Sequence, residues 1–371
     1  MNQTTLRAPA RLHGCALAAL LVCAALPSAL AAEPAAFIAA AKRSPAPPWP
    51  AGDERGMANT LGPITTQRCA WHMAQPGARV YEASQVRSNS MPKSPFAGPG
   101  DMQPKATAGV PFSAHAFNSE VMQAEAEPGQ QGTQLDALGH FAHIKSPWDP
   151  KGAFPADDAV YYGGLTQKDV KPTPDSPLLK LGIEKIPPLV TTAVLLDARA
   201  FVGKGQAMGD GQIVTAAHVQ GMLKAQGLAT RGILPGDMVW IHTGWSERWK
   251  DPAEDNGYYA MAPGLAVDAA HWLAAKRIVA IGLDTPFIDA VPGGMLQGKA
   301  PPAAGTPPGL PFAIHHYMIS EFGIHHLENM NLAAMAKDRV WTSCAMVLPS
   351  LDKGAAGAVI RPVAIGVPNQ K

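Results

Sequence analysis

The chain has 371 residues, 47% hydrophobic and 16% charged, which is ample apolar material for one large core. Its 30 Lys and Arg balance 29 Asp and Glu, leaving no electrostatic basis for nucleic acid or an anionic membrane as partner; a small neutral or weakly charged molecule is the expected ligand. Thirty-six glycines and 36 prolines predict many ordered loops but fall short of a low-complexity chain.

Residues 1–32 read as a secretory signal: Arg7 and Arg11, an apolar run from Cys15 to Leu26, then small residues at Ala29, Ala31 and Ala32. The run is shorter than the ~20 residues that span a bilayer. The expectation is therefore cleavage after Ala31 or Ala32, a periplasmic or secreted protein, and no membrane contact afterwards. Cleavage would leave Cys69 and Cys344. In an oxidising compartment these can pair, or they can stay apart as small buried thiols, and their number excludes a four-cysteine zinc site. Residues 33–52 carry five prolines and predict an extended arm, with a single domain over 53–371.

Ser88 to Pro111, rich in Pro and Gly, predicts a surface excursion. Ala193–Leu196 reads as a buried strand, Thr215 as the cap of a helix carrying Val219, Met222 and Leu223 until Gly227, and Met238–Ile241 as the next strand. Leu265–Ala275 is helical by the spacing of Leu265, Ala269, Trp272 and Leu273, and Ile278–Leu283 is a strand ending at Asp284. This alternation predicts an α/β fold. Asp289–Pro311 is too long for a plain connection and predicts a loop that covers a site. Phe312–Phe322 follows as a helix ended by Gly323, Leu327 and Glu328 fall on a short strand, and Val340–Leu348 and Ala358–Ile365 close the fold as strands.

The segment from Gln130 to His140 places Gln130, Gln134, Asp136 and His140 within eleven residues, beside Gly132 and Gly139. Such density suits a metal or substrate site, although Asp and Gln beside Gly are also ordinary loop formers. The segment resembles the H-x-G-T-H-x-D-x-x-x-H motif of the cyclase superfamily that contains bacterial kynurenine formamidase and isatin hydrolase. Gln130 and Gln134 stand at its first two histidine positions, while Asp136 and His140 are retained. His316 and Glu328, twelve residues apart, are similar to the family's H-x-x-L-x-x-x-G-I-x-x-L-E-N-L stretch. Gly52-Asp53-Glu54 with Gly56 and Asn59, Gly236-Asp237, Thr243-Gly244-Trp245, Pro263-Gly264-Leu265, Gly282 to Thr285 and Arg361-Pro362 follow the family order.

The resemblance implies a cyclase or kynurenine formamidase-like α/β fold with a swivelling β/β/α core, a divalent ion (Mn or Zn), a homodimer, and hydrolysis of a small amide, formamide or lactam. It assigns Asp136, His316 and Glu328 as metal ligands and His140 as the group that takes and returns a proton, a task imidazole suits. Glutamine is a poorer ligand for zinc than imidazole, so Gln130 and Gln134 are read as substrate or weak metal contacts and the centre as holding one ion per chain. Alternatives stand beside these roles. His315 can replace His316, His325 and His326 can be surface or supporting groups, His143 a loop histidine, and Glu328 the partner of a buried Arg. Trp148 and Trp245 are candidates for pocket walls or for core. The competing functions are a metal-dependent cyclase or dehydratase, and a non-catalytic binding protein on the same fold.

Overall fold

Alternating apolar residues build a single mixed sheet of nine strands in the computed structural model, which describes residues 33–96, 100–124 and 130–369. The signal-peptide reading of residues 1–32 lies outside the described residues. In chain order the strands are β1 (Arg79–Glu82), β2 (Gln134–Asp136), β3 (Leu189–Asp197), β4 (Met238–His242), β5 (Ala280–Leu283), β6 (His325–Glu328), β7 (Thr342–Val347), β8 (Gly357–Val359) and β9 (Val363–Gly366). The main helices are α1 (Ala35–Ala41), α2 (Pro63–Met73), α3 (Ala216–Ala225) and α4 (Val267–Ala275). The sheet order is β1-β9-β7-β3-β4-β5-β6-β2-β8. β3 to β6 run parallel, with α3 and α4 as crossovers, and the flanking pairs are antiparallel.

β8 and β9 follow each other in sequence yet lie near opposite ends of this order. Only Ile360, Arg361 and Pro362 join them, a reach of roughly 14 Å at most, so the sheet must curl until its ends nearly meet. Across the seam Gln85 N, just past β1, donates to Thr133 Oγ1, just ahead of β2, at 2.8 Å, while Ala83 N to Pro362 O and Ile360 N to Thr133 O, each at 3.0 Å, carry the β1–β9 and β2–β8 ladders into the same corner. The expected single strand over Ala358–Ile365 is thus two strands, because Pro362 has no N–H to continue a ladder.

Side chains alternate across the curl. Leu135, Leu195, Trp240 and Leu327 join Tyr81 of β1 and Ala358 of β8 in one enclosed cluster. Val194, Val239, Ile241 and Ile281 face the other way, onto Val219 and Met222 of α3 and Ala269 and Leu273 of α4. Each such fully buried aliphatic side chain contributes about 1.5–3 kcal/mol. Thr215 Oγ1 accepts from His218 N at 3.2 Å and caps α3, as its position predicts.

Cys69 of α2 and Cys344 of β7 form a disulfide across 275 residues, fastening α2 to the sheet. The arm over residues 33–52 is not extended throughout. Alanine-rich Ala35–Ala41 forms α1 before the prolines take over. Beneath it lies a buried ionic cluster: Arg68 Nη2 is 2.6 Å from Asp237 Oδ1, Arg231 Nη1 is 2.7 Å from Asp237 Oδ2, and Arg231 Nε is 2.8 Å from Glu33 Oε2. Arg68 Nε also binds Glu33.

Several motifs prove to be scaffolding. Asp53 Oδ2 accepts from Gly56 N at 2.8 Å and from the Tyr162 hydroxyl at 3.0 Å, while Met57 N donates to Gly323 O at 2.7 Å. Gly56 has positive φ and packs so closely on Gly323 that any side chain would strike its backbone. Asp284, just after β5, accepts from Thr243 N at 2.8 Å and Gly244 N at 2.9 Å and so ties down the chain leaving β4. The surface excursion runs past its expected end at Pro111 and carries two short antiparallel pairs, Gly100–Pro104 with Glu120–Ala124 and Ala108–Gly109 with Ala116–Phe117.

Candidate metal centre

The register of β2 against β6 assembles the site. His326 lies opposite Asp136, and Glu328 opposite Gln134. Alternate residues of a strand share a face, so these four side chains project together while Leu135 and Leu327 enter the core behind them. His315, at the end of a helical turn (Ala313–His315), brings its ring onto the same patch. Its Nε2 is 3.4 Å from Glu328 Oε1 and 3.8 Å from Asp136 Oδ2, and its ring centroid is 4.7 Å from that of His326. One ligand atom from each of Asp136, His315, His326 and Glu328 lies within 4.8 Å of the others, and all four residues are buried.

Asp289 fixes the histidine. Its Oδ2 is 2.6 Å from His315 Nδ1, and its carboxylate also accepts from Ile314 N at 2.7 Å and His315 N at 3.2 Å. This leaves His315 Nε2 to face the carboxylates, the arrangement that orients imidazole ligands generally. On the far side, Gln134 Nε2 is 3.0 Å from Glu328 Oε2 and 3.4 Å from Asp136 Oδ1, and it also donates to Gln130 Oε1.

His316, assigned as a ligand by its spacing to Glu328, stands outside this group. Its Nε2 pairs with Glu321 Oε1 at 3.0 Å and its ring lies 4.6 Å from that of His143. Successive helical residues point about 100° apart, so only one of the two histidines can face the carboxylates. The chain then makes a π-turn over His316–Glu321, which takes up more residues per turn than an α-turn and sets the facing histidine thirteen residues before Glu328. His326 belongs to the group rather than to the surface, and the alternation His326-Leu327-Glu328 on a strand is the signal that reveals it. His325 faces the opposite way, its Nε2 3.3 Å from Arg55 O, with burial pushing it down to about 4.

The electrostatics of the group favour positive charge between the carboxylates. Burial, and then Asp136 beside it, push Glu328 well above the usual carboxylate range. Burial opposes charge on His315, but the Asp289 hydrogen bond and the facing carboxylates outweigh it and raise the ring to about 9. Burial and the neighbouring His315 hold His326 well below its ordinary value, which keeps its lone pair available. Asp136 Oδ2 and both ring nitrogens of His326 are buried without hydrogen-bond partners. Unpaired buried polar atoms are costly, and a set of two carboxylates and two imidazoles fits Zn²⁺ or Mn²⁺.

A cavity of about 350 Å³ opens above this floor. Phe96, Phe141, Phe287, Phe312 and Tyr259 form its walls, with His140, Gln130 and Gln134 beside the cluster. The His140 ring centroid is 6.2 Å from that of His315. Phe287 and Phe312 flank the Asp289–Pro311 segment, whereas Met295 within it packs with Trp245 and Tyr258, so the flanks rather than the body of that loop face the cavity. Trp245 is fully buried in that packing and Trp148 is 45% exposed. Phenylalanines, not tryptophans, make the walls.

A family model described as Putative cyclase matches residues 63–290. No curated protein matches the chain at a significant level. Among solved structures, a novel cyclase shares 23% identity over 85% of this chain and 97% of its own, with a TM-score of 0.68. An isatin hydrolase bound to the product analogue thioisatinate shares 17% identity over 81% of this chain and 96% of its own, with a TM-score of 0.51. Isatin hydrolase A from Ralstonia solanacearum shares 19% identity over 82% and 98%, with a TM-score of 0.50. At such identities these likenesses establish the fold, which is the one expected from the sequence motifs.

Proposed function

The chain belongs to the cyclase family, and from that premise we propose that it is a divalent-metal-dependent hydrolase that opens a C–N bond in a small amide, formamide or lactam with an aromatic body. The observation that carries this reading is the buried Asp136, His315, His326 and Glu328 group on the floor of an aromatic-walled cavity. These four residues would hold Mn²⁺ or Zn²⁺, which supplies Lewis-acid polarisation of a carbonyl and a more acidic water.

The chain's own residues do the rest. Asp289 holds His315 in one tautomer and one orientation. The phenylalanine walls and Tyr259 stack on a flat ring and keep bulk water from the reacting carbonyl. His140, on the wall beside the cluster, takes the proton that the attacking water loses and returns it to the nitrogen as the C–N bond breaks. The products are a carboxylate and an amine. The signal-like N-terminus and the Cys69–Cys344 disulfide favour an exported protein, since disulfides persist in oxidising compartments.

The test is product analysis. Mature protein supplied with Mn²⁺ or Zn²⁺ is given N-formyl arylamines and isatin-like lactams, and products are weighed by mass spectrometry. Gain of one water per turnover, abolished by a chelator, is expected. Turnover that eliminates water, or turnover indifferent to the chelator, would overturn the reading.

A further inference from the structure

We propose that Gln134 occupies one face of the Asp136–Glu328 carboxylate pair as a built-in hydrogen-bond donor, confining the centre to a single divalent ion on the opposite face, between His315 and His326. The inference rests on the metal-dependent reading above and deepens it.

Each carboxylate divides its two oxygens between two sides. Glu328 Oε2 and Asp136 Oδ1 turn to Gln134 Nε2, at 3.0 and 3.4 Å. Glu328 Oε1 and Asp136 Oδ2 turn to His315 Nε2, at 3.4 and 3.8 Å. The orientation of the amide follows from its surroundings: reversed, its oxygen would face the oxygens of two carboxylates, which have no proton to share once they are ionised around a cation. With nitrogen inward, Gln134 presents N–H groups and no lone pair, so a cation on that side would meet hydrogens rather than a ligand. Gln130 turns its Oε1 to Gln134 Nε2.

The amide pair is packed into place. Gly357 lies opposite Asp136 on β8, and a side chain there would collide with Gln130 Nε2. Unpartnered buried atoms occur on both sides, but on the amide side they are Gln134 Oε1 and Gln130 Nε2, whereas on the His315 side they include a carboxylate oxygen, Asp136 Oδ2, and both His326 nitrogens. A neutral side-chain donor therefore occupies one face of the carboxylates; on the other, Glu328 Oε1 takes one hydrogen bond, from Ile288 N at 3.0 Å, Asp136 Oδ2 takes none, and this is the side left to an ion. Gln134 acts through those carboxylates and is a positioning residue.

The experiment counts ions. Wild-type protein loaded with excess Mn²⁺ and dialysed should retain about one ion per chain by elemental analysis, and His315→Ala should retain almost none. The double variant Gln130→His, Gln134→His should retain about two, with a spin-coupled signal in electron paramagnetic resonance. Gln134→Met, which keeps the shape without the donor, should still bind one ion but about 10- to 100-fold more weakly. Two ions on the wild type, one ion on a double variant of native circular dichroism and melting temperature, or unchanged affinity in Gln134→Met would each overturn the inference. Should the double variant fail to fold, the Gln134→Met affinity decides. Two ions on the wild type would leave the hydrolase reading standing; no ion at all would remove both.

Discussion

Two pairs of buried carboxylates in this molecule are built on opposite terms. Glu33 and Asp237 meet Arg68 and Arg231, so the negative charges have their counterions within the chain. Burial pushes Asp237 up, but Arg231 and Arg68 outweigh it and hold the carboxyl below its usual range. Asp136 and Glu328 have imidazoles, the Gln134 amide and the Ile288 N–H around them but, among the described residues, no Lys or Arg, and Glu328 is pushed well up. A closed ion network of the first kind fixes the fold, whereas an open one of the second kind can receive charge from outside. This difference separates scaffold from site where burial and composition are alike.

The comparison can be broken from either end. The largest effect is expected from Asp136→Asn with Glu328→Gln: bound metal and turnover both vanish, while stability holds or rises because an uncompensated buried charge is gone. A metal-free variant with wild-type turnover would sink the account. Next, His140→Ala should lower kcat by about 10²- to 10⁴-fold with metal content unchanged, since it removes proton transfer and no ligand; a parallel loss of metal would make His140 a ligand instead. Arg231→Met should do the converse of the first pair, costing about 3–5 kcal/mol of stability by stranding buried carboxylates while leaving the ion count at the wild-type value. Denaturant titration and elemental analysis of one preparation read both quantities.

What the sequence reveals of each cluster differs for physical reasons. Asp136 and Glu328 stand in motifs, so the resemblance finds them, and the structure brings them together. His315 was displaced by one position because a π-turn alters the count along a helix without altering composition. His326 was legible by the period of two once Glu328 was placed on a strand. Phe96, Phe141, Phe287 and Phe312 were not, because four separated loop segments deliver them and a lone phenylalanine in a loop has no pattern. The ionic scaffold was equally hidden. Glu33, Arg68 and Arg231 lie far apart in sequence, and only Asp237 carried a motif, Gly236-Asp237. The reading that gave Glu328 a buried arginine partner assigned to the site what Glu33 and Asp237 use. The alternation of strands and helices and the cap at Thr215 were readable throughout, whereas the curl of the sheet required knowing that β8 and β9 take opposite ends.

The smallest effect is a pH dependence, and it tests whether the closed cluster is ionised as drawn. Asp237 has a folded-state pKa depressed below its unfolded value, with Arg231 and Arg68 as the cause. Its contribution to stability is therefore complete above the unfolded value, about 3.9, and is lost as pH falls through the depressed folded value. Many carboxylates share in acid unfolding, so wild type alone cannot isolate this one. The double variant Arg231→Met, Asp237→Asn removes one charge of each sign and leaves the Glu33–Arg68 pair in place. It should be less stable than wild type at neutral pH, by less than Arg231→Met alone because no carboxylate of Asp237 is stranded. The gap between the double variant and wild type should stay level from pH 7 to about 5 and then narrow as acid protonates Asp237 in wild type only. Urea midpoints at stepped pH read the gap directly. A gap that stays constant down to the acid transition of wild type would show that Asp237 draws no stability from its charge, and the contrast between the two clusters would then rest on packing rather than on counterions.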